Sequence, residues 1–289
     1  MKPESSAEVH RRQGFSLVEI MVAMALTSIV TGAVYRLLLA SQRFSRAQLS
    51  QLSLQTNVRS GSIAALNELR ELGTVTAGSA DQNDILGVTA SGITYRAARG
   101  LGFLCQPPNA NRLQIARGSF SGYRDPQATR DVAYVFLDGA PDTEADDSWL
   151  GLPVVDVATG VACPGSMGAG LTLTTSGAVP PDLPAGTPIR IYEVMELRSY
   201  QSEGRSWLGA RSAGTGENIQ PVSGPLADPD GFRLEYLDAA GVPTSDLTAI
   251  KGIRIAVHAI GEDSLSPLSG ARVEEELVSA VTLRNGFRR

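Results

Sequence analysis

The stretch Gly14-Phe15-Ser16-Leu17-Val18-Glu19 constrains this chain more than any other. A short basic leader precedes it, and residues 15–35 carry no charge apart from Glu19. A run of about 20 apolar residues is what a helix needs to cross a bilayer. One carboxylate near the start of such a span costs on the order of 3 kcal/mol on insertion scales, so its presence marks a function or a specific partner. Residues 1–14 read as a targeting segment that takes no part in the fold. Arg11 and Arg12, just ahead of the span, predict a cytoplasmic N-terminus and place the remainder of the chain across the membrane.

These residues resemble the processing site of type IV pilins and of the pseudopilins of type II secretion. The resemblance implies that a membrane-bound prepilin peptidase cuts between Gly14 and Phe15 and N-methylates Phe15. Glu19 matches the family's glutamate, four residues past the new N-terminus, which guides assembly by pairing with a neighbouring subunit's amine. Two other readings of the run are a secretory signal peptide and a plain single-pass anchor. A signal peptide wants a small-residue cleavage site after the apolar run and no acid inside it. Thr27-Ser28 and Thr31-Gly32-Ala33 offer small residues, but Glu19 argues against that reading.

A chain of 289 residues holds one membrane helix and one soluble domain of about 200 residues, enough to bury a core. The net charge is -5, and losing residues 1–14 makes it one unit more acidic. Such a chain has no general electrostatic pull on DNA, so a nucleic-acid contact would have to be a local patch. Lys occurs only at positions 2 and 251; the other basic side chains are Arg. Cys105 and Cys163 both follow the span, on the oxidising side of the membrane, where a bridge between them is plausible. Two free buried thiols are the alternative. A bridge would close a loop worth up to about 4 kcal/mol in the loop-entropy model, and the spacing excludes a CxxC site.

The chain divides into a leader over 1–14, a transmembrane or filament-core helix over 15–39, an amphipathic half of the same helix over 40–73, and a β-rich head over 74–289. No Pro interrupts residues 15–106. Leu49, Leu52, Ile63, Leu66 and Leu69 supply apolar side chains of the second half, Gly61 weakens it by about 1 kcal/mol, and Gly73 is a stop signal. The helix is expected to run from Phe15 to about Leu72. Strands are expected at 93–97, 113–116, 132–137, 152–157, 171–175, 188–197, 232–236, 253–257 and 277–283, from alternation and β-branched content. Loops rich in Gly, Pro and Ser are expected at 138–148, 160–170, 176–187 and 210–231. The fold class is α+β: one long N-terminal helix, membrane half and amphipathic half, packed on a mainly antiparallel sheet. The division resembles the pilin arrangement of helical handle and globular head, although the helix-bending Pro common in major pilins is missing.

Trp207-Leu208-Gly209, residues 232–238, residues 253–255 and the ending Thr282-Leu283-Arg284-Asn285 further resemble large minor pilins of the PilW type, and J-type pseudopilins similarly. The resemblance does not extend to residues 98–187.

Chemistry is sparse. His10 leaves with the leader, and His258 is then the single histidine, within an alternating strand. Neither a HExxH zinc site nor a P-loop occurs. Asp138, Asp142, Glu144, Asp146 and Asp147 are oxygen donors of the kind calcium accepts, without EF-hand spacing; a solvated acidic loop is the plainer reading. Glu274-Glu275-Glu276 would discourage unwanted edge pairing. Arg and aromatic residues interleave at Tyr95, Arg96, Arg99 and Phe103, and at Arg117, Phe120, Tyr123 and Arg124, a pattern suited to single-stranded nucleic acid or to an ordinary strand. The expected function is a minor type IV pilin of the PilW type, a structural and assembly subunit with a priming or tip role. A J-type pseudopilin of type II secretion and a DNA-capturing pilin are the alternatives. No enzymatic activity and no cofactor are expected. The expected partners are the prepilin peptidase, the membrane and other pilins through the N-terminal helix. The head is expected in the periplasm or outside, and the assembled protein in a pilus or pseudopilus.

Overall fold

In the computed structural model, the described residues are 14–73, 83–122, 124–139, 143, 146–165, 169–264 and 272–283. They form one long helix, α1 (Leu17–Arg70), and thirteen strands. The chain separates into two compact units, Met1–Leu52 and Ser53–Arg289.

In the first unit, apolar side chains of α1 are exposed, with Leu17 75 % and Ile29 68 % accessible. Its hydroxyls bond within the helix: Thr27 Oγ1 donates to Ala23 O at 2.7 Å, and Ser28 Oγ to Met24 O at 2.8 Å. An apolar surface with internally satisfied polar groups is what hydrocarbon demands of a spanning segment. The helix is long and apolar enough to cross a membrane.

In the second unit, the remainder of α1 buries a stripe of Leu54, Val58, Gly61, Ser62, Ala65 and Leu69, at the three- and four-residue steps of a helix face. This differs from the apolar set that composition suggests: Leu49, Leu52 and Ile63 are exposed, and Leu69 is buried. The middle of the stripe is small because β10 (Gln220–Leu226) crosses there. A β-carbon on Gly61 would lie 3.2 Å from both Cβ and Oγ of Ser223. Ser223 Oγ donates to Asn57 O, and Ser62 Oγ meets Ser279 Oγ at 3.0 Å. Gly61 thus trades helix propensity for close packing. At the helix end, Gly73 N donates to Asp84 Oδ2 (2.8 Å) and Gly73 O accepts from Asp84 N (3.1 Å).

The strands are β1 (Ile85–Thr89), β2 (Gly92–Phe103), β3 (Arg112–Ala116), β4 (Ser121–Gly122), β5 (Asp131–Leu137), β6 (Ser148–Ala162), β7 (Ala169–Thr175), β8 (Pro188–Ser202), β9 (Arg205–Ser212), β10, β11 (Phe232–Leu237), β12 (Gly252–Ser264) and β13 (Arg272–Thr282). All pairings are antiparallel. A large sheet follows the order β1-β2-β8-β5-β6-β7-β3, with β9 and β10 branching from β8 and β4 beside β2; β11-β12-β13 form a second sheet. The α+β class with one long helix on a mainly antiparallel sheet is therefore the observed architecture. Residues 210–231, expected as loop, contain β10. Pro221 and Pro225 hide it from a strand reading, but among the described residues it pairs only with β9, and an edge tolerates proline. β1, β4 and β9 also lie outside the expected strands, and β6 runs well beyond 152–157.

β8 organises the head. One of its edges pairs along β2; the other pairs first with β5, through Glu193, and then with β9, from Met195 onward. Two cores lie on either side of that change of partner. One joins Leu54, Val58 and Leu69 of α1 to Ile93, Tyr95, Leu197, Ile253, Ile255 and Val257. The other gathers Leu113, Ile115, Val135, Val154, Leu173, Ile189 and Ile191. A bridge from Leu104 to Ile115 brings β3 back to the end of β2, so this second core fills a nearly closed barrel. Its strands come mostly from residues 98–187, the stretch to which the sequence resemblance does not extend.

Candidate functional site: the helix start and the charged layer of the head

The helix start is built from four residues. Gly14, Phe15 and Ser16 precede α1 as exposed, non-helical chain. Ser16 is the N-cap: its Oγ accepts from Glu19 N at 3.2 Å, and its carbonyl accepts from Ile20 N at 3.2 Å. Ser16 and Glu19 stand at the spacing of a capping box, a signal present in the sequence that accounts for where α1 begins. Glu19 therefore lies in the first turn, where the helix dipole favours a carboxylate. The bond between Gly14 and Phe15 is two residues ahead of the first helical residue, and a β-carbon at Gly14 would meet nothing within 4 Å. A protease can reach such a bond without unwinding the helix, and cleavage there would leave the Phe15 amine one turn from Glu19.

In the head, Cys105 and Cys163 are joined by a disulfide across 58 residues of chain, both sulfurs buried with Ala116. Of the acidic loop, Asp142 and Glu144 lie outside the described residues. Asp147 Oδ1 accepts from Gly139 N at 3.3 Å, and the Asp146 carboxylate packs against Gly139. Among the described residues, no three His, Cys, Asp or Glu side chains converge as a metal cluster. His258 Nε2 lies 3.7 Å from Glu274 Oε2, where β12 pairs with β13.

The arginines interleaved with aromatics do not form a basic surface. Tyr95 is fully buried, and its hydroxyl donates to Glu68 Oε2 at 3.1 Å. Arg99 Nε bonds Glu193 Oε2 at 2.6 Å. Arg124 bonds both oxygens of Asp131 and reaches Glu193 Oε2 at 3.0 Å. Arg130 Nε lies 2.7 Å from Glu193 Oε1, and Arg117 pairs with Asp125 at 2.6 Å. Tyr123 lies outside the described residues. The nucleic-acid reading thus loses Arg99 and Arg124 to buried carboxylates and Arg117 to Asp125, while Arg96 Nη1 donates to Asn83 O at 2.8 Å and its guanidinium lies over the Tyr134 ring. This charged layer sits where β8 changes partner and where β2 bulges between Ala98 and Gly100. Burial pushes the Glu193 carboxyl up, but the hydrogen bond and charge of Arg99 outweigh it and hold the group below the ordinary carboxylate value. The Asp131 hydrogen bond raises Arg124 despite its burial. The layer was legible only in part: alternation from Ala133 and Val135 puts Asp131 on the inward face, and alternation from Ile189 and Ile191 does the same for Glu193.

An exposed apolar helix behind a capped Gly-Phe junction, followed by a β-rich head, is the layout of a membrane-anchored, prepilin-like chain. The family described as the prokaryotic N-terminal methylation motif matches residues 9–35, and this supports a type IV pilin-like or pseudopilin protein that is processed by prepilin peptidase and assembles with other pilins. No curated protein and no solved structure matches the chain.

Proposed function

We infer that the protein is a minor type IV pilin of the PilW type, a structural and assembly subunit without enzymatic activity that acts in priming or at the tip of a pilus. The observation that carries this reading is the start of α1: an accessible Gly14-Phe15 bond, a Ser16 cap, and Glu19 in the first turn of an apolar helix. The precursor sits in the cytoplasmic membrane as a single-pass protein with its head in the periplasm. Cleavage frees the Phe15 amine. A lone carboxylate in hydrocarbon is costly, and pairing Glu19 with an amine of an adjacent subunit lowers that cost. The head favours a tip or priming place: the unit Ser53–Arg289 carries a second barrel-like core, bulk that is hard to repeat along a slim filament.

Deleting the gene and labelling the protein on sheared filaments tests this. Loss of pili with intact protein secretion, and label confined to filament ends, is expected. Label along the whole filament at major-subunit abundance would contradict the tip role. Intact pili with lost secretion would transfer the protein to the J-type pseudopilins.

A further inference from the structure

Past its apolar run, α1 carries a row of arginines with no acid to answer it. Between Glu19 and Glu68 the sequence holds Arg36, Arg43, Arg46 and Arg59 and neither Asp nor Glu. The chain as a whole is acidic, with a net charge of -5. Arg36, Arg43 and Arg46 belong to the first unit, and all three are exposed. At 3.6 residues per turn, Arg36 and Arg43 fall about 20° apart round the helix and Arg46 about 60° further on, so the three form one stripe. Along α1 the nearest carboxylates are Glu19, about 25 Å before Arg36, and Glu68, about 33 Å beyond Arg46. Both lie well outside a Debye length.

The depth of the row follows from the helical rise. Residues 15–35 cover about 31 Å at 1.5 Å per residue, which matches a hydrocarbon layer about 30 Å thick. Arg36 is the next residue, at the hydrocarbon boundary, and Arg43 and Arg46 follow about 10 Å and 15 Å farther along the axis. In a helix the Cα–Cβ bond tilts toward the N-terminus, so all three side chains lean back toward the bilayer. Their apolar stems let the guanidinium groups snorkel to its surface. Tyr35, 62 % exposed, stands beside Arg36 as the kind of ring that settles at a membrane interface. Lys and Arg are disfavoured on the exported side of a span, so the row is not an orientation signal.

We propose that Arg36, Arg43 and Arg46 bind the phosphates of anionic phospholipids in the exported-side leaflet of the membrane that α1 crosses. The proposal rests on the membrane-anchored reading of α1. A guanidinium forks onto a phosphate through two parallel N–H···O bonds, and it is weakly enough hydrated to do so at an interface. Basic residues beside an anionic bilayer are drawn to it within about a Debye length, which covers all three positions once their side chains lean back. An acidic protein partner would have to carry its carboxylates into the headgroup layer, where lipid phosphates are already the abundant anion. The contact fixes the depth of the span from the side away from the leader. It therefore outlasts the loss of Lys2, Arg11 and Arg12 when residues 1–14 are removed.

The test places the purified full chain in phosphatidylcholine bilayers. Electron spin resonance then measures how strongly spin-labelled phosphatidylglycerol is held at the protein relative to spin-labelled phosphatidylcholine. The proposal expects about a fivefold preference for phosphatidylglycerol at low salt, the size of one arginine contact per lipid site. The preference should fall toward parity at about 1 M salt, where the screening length is about 3 Å. Arg36→Gln, Arg43→Gln and Arg46→Gln combined should cut it to about twofold or less. The matching triple Lys variant should keep most of it, because charge carries the attraction. Arg11→Gln with Arg12→Gln, in the leader, is the comparison. Resistance to alkaline extraction shows separately whether each chain is embedded. A native chain that alkali washes off overturns the anchored reading and the proposal with it. An embedded chain with no preference, a preference unchanged in the triple Gln variant, or one lost only in the leader variant overturns the proposal alone. If the triple Gln variant does not embed, the salt series on the native chain decides, and a preference indifferent to salt overturns the proposal.

Discussion

Arg124 grips Asp131 with both ends of its guanidinium, Nη1 to Oδ2 at 2.6 Å and Nη2 to Oδ1 at 2.7 Å. The Asp131 side chain is wholly buried, and Arg124 Nη2 also reaches Glu193. The pair closes the gap that opens where β8 leaves β5 for β9. Truncation to Arg124→Ala leaves a buried carboxylate without its fork, a change that costs about 3 kcal/mol or more at such sites. A chemical denaturation midpoint of the purified chain checks this. Arg124→Lys is expected to recover only part of the loss, because an ammonium cannot hold both oxygens.

Acid should loosen the same layer. Glu193 is held below the ordinary carboxylate value when folded. A carboxyl with a depressed folded pKa contributes stability above its unfolded value, about 4.3, and that contribution is lost as pH falls through the lower folded value. Melting temperature should be steady from neutral pH to about 5 and then drop below about 4. In Glu193→Gln the protein should start less stable and show a shallower drop, which a melt series over pH measures.

The contact of α1 with β10 leaves no room for a larger residue at Gly61, 3.2 Å from Ser223 by its would-be β-carbon. Gly61→Leu should destabilise the head by about 1–3 kcal/mol through overpacking, despite leucine's better helix propensity. The same substitution at Gly32, where a β-carbon would meet nothing within 4 Å, is the comparison. Denaturation curves should separate the two.

Reduction of the Cys105–Cys163 bridge releases a loop of 58 residues. The loop-entropy model puts the loss at up to about 4 kcal/mol. Cys105→Ser with Cys163→Ser should lower the melting temperature, and non-reducing peptide mapping should recover the two cysteines in one linked fragment from the native protein.

The start of the chain was the most legible part. An apolar run without proline, a Ser and a Glu three apart, and a Gly before them specify a helix and its first turn almost unaided. Strands such as β5 and β11 announce themselves, β5 by the short apolar run Val132 to Leu137 and β11 by the alternation Phe232 to Tyr236. β10 does not, because Pro221, Gly224 and Pro225 oppose a strand and only its edge position admits them. The division into two cores was hidden for a different reason. It depends on β8 exchanging β5 for β9 at Glu193, and on Arg99 meeting Glu193 from 94 residues away, a pairing that no local pattern records. The arginine-and-aromatic clusters left two readings open for the same reason: Asp131 and Glu193, the carboxylates that hold Arg124 and Arg99, lie on other elements.

The most direct measurement is mass spectrometry of the N-terminus of the protein isolated from its own membranes. The account predicts a chain that begins at N-methylated Phe15, with Glu19 in its first helical turn. An intact Met1, or a cut within or beyond the apolar run, would contradict it and leave Glu19 without a role in assembly.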